Sequence, residues 1–507
     1  MTTRVTINRL ATGVPGLDEV LGGGLPEFSF NVIAGAPGCG KTTLAHQMMF
    51  TLASAERPAL YLTVLGEPPM KMLRYQQQFD FFDNEAINRH VHFVNLSDDA
   101  ATGNFDRLLR RIVSEVEAHA PAVVFVDSFR SMARAGMVQN AQEHDLQQFV
   151  QHLGLLMTSW QATSFLIGEY SNETDANPVF TVADGMICLR QSVQRNSMVR
   201  KIEVMKMRGQ ATLPGLHSFR ISPAGIRVFA PAYIVDPECA GASQHAPETR
   251  LSMGIPELDK MFGGGLPQGF SLLVAGPSGS GKSILAGAFL AAGAARGETG
   301  VMVAFEQHPN RSRQRVVAEL IESGQVGLIT TRAPDTSIDE IVHRITDEVH
   351  RIKATRVVID SLTGFELLVA PTFQSDFRES QLRLVTALAG AGVTVLMTAE
   401  LEDRYNELRF NPFGTASLTD AIIVQRYIEV ESRLLRVMAV AKVRASNHSS
   451  ELRLYSIDED GIQVGESLPD QEGLLGGRPT RKPDKPDRSV TGAKSDPEDS
   501  GQAGSSS

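Results

Sequence analysis

The sequence predicts an α/β protein built twice over: two tandem domains, each a mainly parallel sheet flanked by helices, with antiparallel strands at one edge. Three observations carry this expectation. The phosphate-binding signature G-x-x-x-x-G-K-[ST] occurs at Gly35–Thr42 and again at Gly276–Ser283, with Lys41 and Lys282 241 residues apart. In both halves, short β-branched runs alternate with helical segments, the pattern of a parallel sheet covered on both faces. Past Asp184 and Asp420 the pattern turns to strand after strand, which adds antiparallel strands to one edge of each sheet.

Each element follows in order. Thr12-Gly13-Val14-Pro15-Gly16-Leu17-Asp18 leads into Leu21-Gly22-Gly23-Gly24-Leu25-Pro26, and Met253-Gly254-Ile255-Pro256-Glu257-Leu258-Asp259 leads into Phe262-Gly263-Gly264-Gly265-Leu266-Pro267, at the same offset as the lysines. Apolar Ser29–Ala34 and Ser271–Ala275 read as buried strands running into the glycine loops, and helices follow from Lys41 and Lys282. Strands are expected at Ala59–Val64 and Val301–Phe305, and amphipathic helices at Phe105–His119 and Ile338–Ile352. Ala122–Val126 and Arg356–Ile359 are β-branched runs that each end at an aspartate, Asp127 and Asp360. These aspartates are offset by 233 and Asp184 and Asp420 by 236, a drift that surface loops absorb.

The domain reading is residues 1–235 for the first unit, 236–249 for a linker, 250–465 for the second unit and 466–507 for a tail. The linker is poor in apolar residues and holds Pro237, Gly241 and Pro247. The tail is dominated by Gly, Pro, Ser and balanced charges, too few large apolar side chains to offset its ordering entropy, so it is expected to be disordered. A net charge of −10 argues against a broad, charge-driven nucleic-acid footprint. Cys39, Cys188 and Cys239 form no C-x-x-C pair, which disfavours a disulfide framework or structural zinc and fits a reducing cytoplasm. The N-terminus has no apolar run like a signal peptide, and no run of about 18 apolar residues predicts a membrane span.

The loops carry the chemistry. Glycines let consecutive backbone N–H groups curl around phosphate oxygens, and the following helix points its positive end at the same phosphates. The expected nucleotide-binding residues are Gly35, Ala36, Pro37, Gly38, Cys39, Gly40, Lys41, Thr42 and Thr43 in the first half. In the second they are Gly276, Pro277, Ser278, Gly279, Ser280, Gly281, Lys282 and Ser283. Lys41 and Lys282 should reach the β/γ-phosphates of ATP, Lys282 with a catalytic part, and Pro37 and Pro277 stiffen the loops. Thr42 and Ser283 should place a hydroxyl on Mg²⁺. Asp127 and Asp360, each followed by Ser, have the Walker-B layout, in which a strand-end carboxylate orients the metal shell; the other reading is a turn or capping aspartate.

Hydrolysis also needs a group to orient or deprotonate water. Glu306, in Val303-Ala304-Phe305-Glu306-Gln307, follows the second strand of half two. The register positions in half one are Leu65 and Gly66, with Glu67 two positions beyond Leu65. Lys206-Met207-Arg208 and Lys442-Val443-Arg444 share the 236 offset. Either these cations reach a γ-phosphate or they lie on a solvated edge strand. Cys39 reads as a small tolerated side chain rather than a redox switch, and Trp160 as a core residue.

These landmarks together resemble the KaiC-type branch of the RecA-like ATPases. The resemblance rests on the T-G-x-P-x-L-D…G-G-G-L-P block, the loop, the strand-end Asp-Ser and the late K-x-R, all recurring twice over roughly residues 5–465. It implies a RecA-like core in each half and a homohexameric double ring with ATP at subunit interfaces, and it leaves room for regulatory protein partners. It implies that Lys206, Arg208, Lys442 and Arg444 reach ATP on the neighbouring subunit, where cations would stabilise charge on the transferred phosphoryl group. KaiC proteins carry paired glutamates after the second strand of each half. This chain keeps one, as Glu306-Gln307, and none in register in half one, so catalysis is expected at Lys282 and assembly at Lys41. KaiC also phosphorylates itself on an adjacent Ser and Thr; the matching stretch, Ala416-Ser417-Leu418-Thr419-Asp420, keeps only Ser417 of the two acceptors. The expected function is a KaiC-like ATPase with serine/threonine autokinase activity in signalling. The alternatives are a RecA-like DNA-repair or helicase motor and a nucleotide-dependent scaffold.

Overall fold

Each half of the chain folds around its own nine-stranded sheet in the computed structural model. The structure describes residues 7–64, 69–102, 104–128, 143–169, 178–194, 197–231, 249–305, 315–330, 337–368, 377–390, 392–401, 419–430, 432–467, 471–472 and 480–481. Most of the expected linker, Leu65–Gly66, Glu67, Glu306 and Ser417 therefore lie outside the described residues.

In half one the strands are β1 (Phe30–Gly35), β2 (Ala59–Thr63), β3 (Val91–Asn95), β4 (Val123–Asp127), β5 (Thr163–Glu169), β6 (Gly185–Gln194), β7 (Ser197–Met207), β8 (His217–Ser222) and β9 (Gly225–Phe229). They lie in the order β9-β8-β7-β6-β1-β5-β4-β2-β3. The pairs from β6 to β3 are parallel, and β7, β8 and β9 extend the sheet antiparallel. Half two repeats this with β10 (Ser271–Gly276), β11 (Gly300–Ala304), β12 (Val326–Thr330), β13 (Arg356–Asp360), β14 (Thr394–Glu400), β15 (Ala421–Val430), β16 (Arg433–Val443), β17 (Arg453–Asp458) and β18 (Gly461–Ser467). Their order is β12-β11-β13-β14-β10-β15-β16-β17-β18. These are two tandem RecA-like α/β units. The run of consecutive strands begins at Gly185 and Ala421, directly after Asp184 and Asp420; the first of each run is still parallel to the central strand, and the antiparallel strands follow from Ser197 and Arg433.

Period-2 alternation explains how each sheet is covered on both sides. In β1, Ile33 packs with Leu44, Ala45 and Met48 of α1 (Lys41–Leu52), whereas Val32 and Ala34 pack on the other face with Leu108 and Ile112 of α2 (Phe105–His119) and Leu153 of α3 (Glu143–Ser159). Trp160 packs against this second cluster, as a core residue should. In half two, Leu272 and Val274 meet Leu285 and Phe289 of α4 (Lys282–Ala294), and Leu273 meets α5 (Ile338–Ile352) on the opposite face. The helices α2 and α5 begin and end where the amphipathic pattern does, because each has a cap. Asn104 accepts from Arg107 N in α2, and Ser337 accepts from Glu340 N in α5.

The T-G-x-P-x-L-D block is structural. Asp18 accepts from Thr12 N and Oγ1 at 2.9 and 2.7 Å, and Asp259 accepts from Met253 N and Ser252 Oγ at 2.7 and 2.5 Å. A short antiparallel pair closes each block, Arg9–Leu10 with Leu25–Pro26 and Arg250–Leu251 with Leu266–Pro267.

The two halves touch through the antiparallel edge of the first and α5 of the second. Arg220 of β8 grips Glu340 with two hydrogen bonds, Nε to Oε1 at 2.9 Å and a terminal nitrogen to Oε2 at 2.8 Å. Arg227 of β9 pairs with Asp347 at 2.7 Å, and His343 Nε2 lies 2.7 Å from the Ala230 carbonyl. A bidentate guanidinium–carboxylate pair with one largely buried partner exceeds the usual surface ion pair in strength, but Arg220 is partly solvated and screening reduces the gain. A double-mutant cycle of Arg220→Ala and Glu340→Ala in urea unfolding should give a coupling of about 1 kcal/mol. A coupling indistinguishable from zero would mean the pair contributes nothing to holding the halves together.

Candidate functional site

Each glycine loop leaves the carboxyl end of the central strand and enters a helix with no side-chain cap. Gly40 precedes α1 at φ 106° and Gly281 precedes α4 at φ 94°, both left-handed. The first-turn N–H groups are thus left to a ligand, the arrangement that favours an anion. The positive φ favours glycine here, and an isoleucine methyl lies close beside each position. A Cβ on Gly40 would stand 2.8 Å from Ile221 Cδ1, and one on Gly281 would stand 2.7 Å from Ile457 Cδ1. In both halves an isoleucine of the antiparallel edge is pressed onto the loop.

The lysines lie back across their loops. Lys41 Nζ donates to the Gly35 and Ala36 carbonyls at 2.9 Å, and Lys282 Nζ to those of Gly276 and Pro277 at 2.8 Å. The loops are buttressed differently. Gln191 Nε2 donates to Pro37 O at 2.9 Å in half one, while in half two Ser280 Oγ donates to Gln425 Oε1 at 3.0 Å and Tyr455 O–H to Ser280 O at 2.6 Å. Cys39 takes the place of Ser280 and is fully buried, and burial pushes its thiol pKa up, so it fills space as expected.

The structure brings Thr42 and Asp127 together: Thr42 Oγ1 donates to Asp127 Oδ2 at 3.0 Å. The same oxygen accepts the Tyr61 phenol at 2.7 Å, a contact the sequence reading missed. Asp127 is 3% exposed, and burial pushes its pKa up, opposed by the hydrogen bonds from Tyr61 and Thr42 and by Lys41. Burial, then the Asp127 charge and hydrogen bond, push the Tyr61 phenol well above its ordinary range, so it serves as a donor. Asp360 is more open and accepts from Thr398 Oγ1 at 2.5 Å. Both aspartates precede a cis peptide, to Ser128 and Ser361.

Two further carboxylates were also missed. Glu169 ends β5 opposite Gly35, and Glu400 ends β14 opposite Gly276. The charge of Glu169 raises the Asp127 pKa, which places it close to the first site. A glutamate ends the matching strand of both halves, and its place beside the glycine loop comes from the sheet pairing alone.

The K-x-R pairs are not brought to their own loops. Lys206 lies opposite Met186, which pairs with Val32, whereas Gly35 pairs with Leu189. Three residues of strand separate those levels, about 10 Å. Lys206 Nζ donates to Ala183 O at 2.6 Å and Arg208 to Asp184 at 3.1 Å; Lys442 and Arg444 repeat this with Thr419 O at 2.6 Å and Asp420 at 3.2 Å. The outer neighbour of each bearing strand pairs only as far as Ile202 in half one and Met438 in half two, so Lys206 and Lys442 lie on stretches paired on one side. Asp184 and Asp420 also accept from Phe30 N and Ser271 N at 3.0 Å, fixing the start of each central strand. Thr419 is fully buried, and Glu306 and Ser417 lie outside the described residues. Phe305, the last described residue before Glu306, donates its N–H to Asp360 O at 3.1 Å.

Comparison with known proteins agrees with this geometry. The family model described as "ATPase: KaiC" matches residues 10–233 and again 251–468. The circadian clock oscillator protein KaiC of Picosynechococcus sp. is 25% identical over 492 residues, covering 94% of this chain and 93% of that protein. KaiC 1 of Synechocystis sp. is 25% identical with the same coverage, and KaiC of Parathermosynechococcus lividus is 26% identical over 94% of this chain and 88% of that protein. Among the described residues no helix is long and apolar enough to cross a membrane.

His46, on α1 one turn after Thr42, is completely buried, and its ring packs on Tyr61 at 4.6 Å. Burial pushes its pKa from 6.5 down to about 4. The unfolded chain therefore takes up a proton that the folded one refuses. Stability is intact above pH 6.5 and falls as pH drops from 6.5 to about 4, by about 3 kcal/mol in total. His46→Leu should flatten that acid limb, measured as urea midpoints at pH 7, 5.5 and 4.5. An acid limb of unchanged slope would show that His46 is not its source.

Proposed function

This chain belongs to the KaiC ATPase family, and on that premise we propose that it binds and hydrolyses ATP and phosphorylates its own second half on serine, acting in cytoplasmic signalling or regulation. The observation that carries the reading is the pairing of each uncapped helix and glycine loop with a lysine across it and a strand-end aspartate at its lip. In half one that aspartate already holds the Thr42 hydroxyl. The residues fit ATP and Mg²⁺. Loop N–H groups and an ammonium suit phosphate oxygens, and one carboxylate with a hydroxyl is the sparse protein set that Mg²⁺ takes beside phosphates. Bound Mg-ATP supplies a transferable phosphoryl group whose charge the metal partly neutralises.

The protein's own part is positioning and charge. Lys41 and Lys282 exchange loop carbonyls for phosphate oxygens. Thr42 with Asp127, and Ser283 with Asp360, hold the metal shell. Glu306 acts as general base, for water in hydrolysis or for the Ser417 hydroxyl in phosphoryl transfer. The K-x-R pairs stand near the opposite end of the sheet from their own loops. This supports a role for Lys442 and Arg444, and for Lys206 and Arg208, at ATP held by the next subunit of a homohexamer. Regulatory protein partners would then read the state of the ring.

A second reading applies to half one alone: a nucleotide-dependent scaffold. Leu65 and Gly66 occupy the positions where half two has Glu306 and Gln307, which favours it. A DNA motor is disfavoured by the net charge of −10. Lys41→Ala should abolish ATP-dependent assembly seen by light scattering, and Lys282→Ala should remove most turnover. A chain that stays monomeric in saturating Mg-ATP would overturn the ring. Glu306→Gln should lower turnover about 100-fold and erase phosphate on Ser417 in mapped peptides; unchanged turnover and labelling would remove Glu306 from its role.

A further inference from the structure

The first nucleotide site contains an interaction that the duplication does not repeat. Tyr61, the middle residue of β2, is fully buried and donates its hydroxyl to Asp127 Oδ2 at 2.7 Å, the oxygen that also accepts from Thr42 Oγ1 at 3.0 Å. Its ring is boxed by His46 at 4.6 Å, Phe93 at 5.4 Å and Phe125 at 6.0 Å between centroids. The sheet register identifies its counterpart. Thr63 lies opposite Asp127 and Ala304 opposite Asp360, so two residues earlier Tyr61 corresponds to Met302. Methionine has no proton to donate. In half two a donor to Asp360 comes from the other neighbouring strand, Thr398, where half one has Ile167 opposite Asp127.

We propose that Tyr61 is a positioning residue for the metal of the first nucleotide site: with Thr42 it pins one oxygen of Asp127, so that the carboxylate is oriented before Mg²⁺ arrives. The proposal rests on the reading of that site as an Mg-ATP site. Its physical basis is the cost of ordering. A carboxylate that rotates freely must be fixed when the metal binds, whereas one pinned by two donors on the same oxygen, one of them carried by a boxed aromatic ring, has already lost that freedom on folding. The consequence is retention: the first site should hold metal, and with it nucleotide, longer than the second. That suits a site whose work is to keep an assembly together.

The test uses the full-length chain carrying Lys282→Ala, which silences the second site. A fluorescent ATP analogue is titrated in EDTA to give metal-free nucleotide affinity. Mn²⁺ is titrated by electron paramagnetic resonance in the presence of a non-hydrolysable ATP analogue. Tyr61→Phe, which removes only the hydroxyl, should leave the metal-free affinity within about twofold and weaken Mn²⁺ binding about 10-fold. Tyr61→Met, the residue of the second half, should do the same. Unchanged Mn²⁺ affinity in both variants overturns the proposal. So does an equal loss of metal and nucleotide affinity accompanied by a lower melting temperature, because that is damage to the fold. If the Lys282→Ala parent itself binds no nucleotide, the reading of the first site falls before any Tyr61 variant is measured, and the proposal falls with it.

Discussion

Everything in each half depends on the moment when the central strand runs out of partners. Within β1 and β10 every residue is buried, and parallel neighbours on both sides satisfy the backbone. At Gly35 and Gly276 that pairing ends, and the chain must turn through left-handed glycines into a helix whose first N–H groups have no side-chain cap. A sheet buried on both faces thus delivers a concentrated set of backbone donors to one rim. The lysine, the hydroxyl and the strand-end carboxylate are arranged around that set, and the antiparallel edge strands press the loop from the side through Ile221 and Ile457.

The duplication preserved this frame and let the polar details diverge. Asp127 is buried and held by donors from β2 and α1, whereas Asp360 is more open and takes a hydrogen bond from β14. The loops follow the same trend: half two fastens its loop with Ser280, Gln425 and Tyr455, where half one fills the space with a buried thiol. The difference in the position after the second strand, Glu306 against Leu65, therefore belongs to a set of differences spread around the site.

Much of the fold was legible because it is local. The boundaries of α2 and α5 follow from a 3.6-residue apolar pattern that ends at real caps, and the run of consecutive strands begins one residue after Asp184 and Asp420. The loops were legible because their glycines, lysines and hydroxyls are adjacent in the chain. What escaped is what only tertiary pairing creates. Tyr61 lies 66 residues from Asp127, and nothing in an apolar strand distinguishes a tyrosine that packs from one that also donates. Glu169 and Glu400 escaped for the same reason, since their nearness to the loops comes from the pairing of β5 with β1 and of β14 with β10. The location of the K-x-R pairs could not be read either, because the sequence shows alternation but not which end of a sheet a strand reaches.

The strand β8 carries adjacent residues with different obligations. Arg220 grips Glu340 of the other half, and Ile221 rests on the glycine that opens α1. Alternation along a strand sends neighbours to opposite faces, so the same few residues are accountable to both halves at once. Each copy therefore carries a surface fitted to the other. A first half cut away from the second would carry two arginines and a carbonyl shaped for a helix no longer present, and drift at residue 220 or 221 is answerable to different halves of the molecule. The ancestral repeat has in this way become a single heritable unit, in which neither copy can be exchanged or shed without remaking the other's surface.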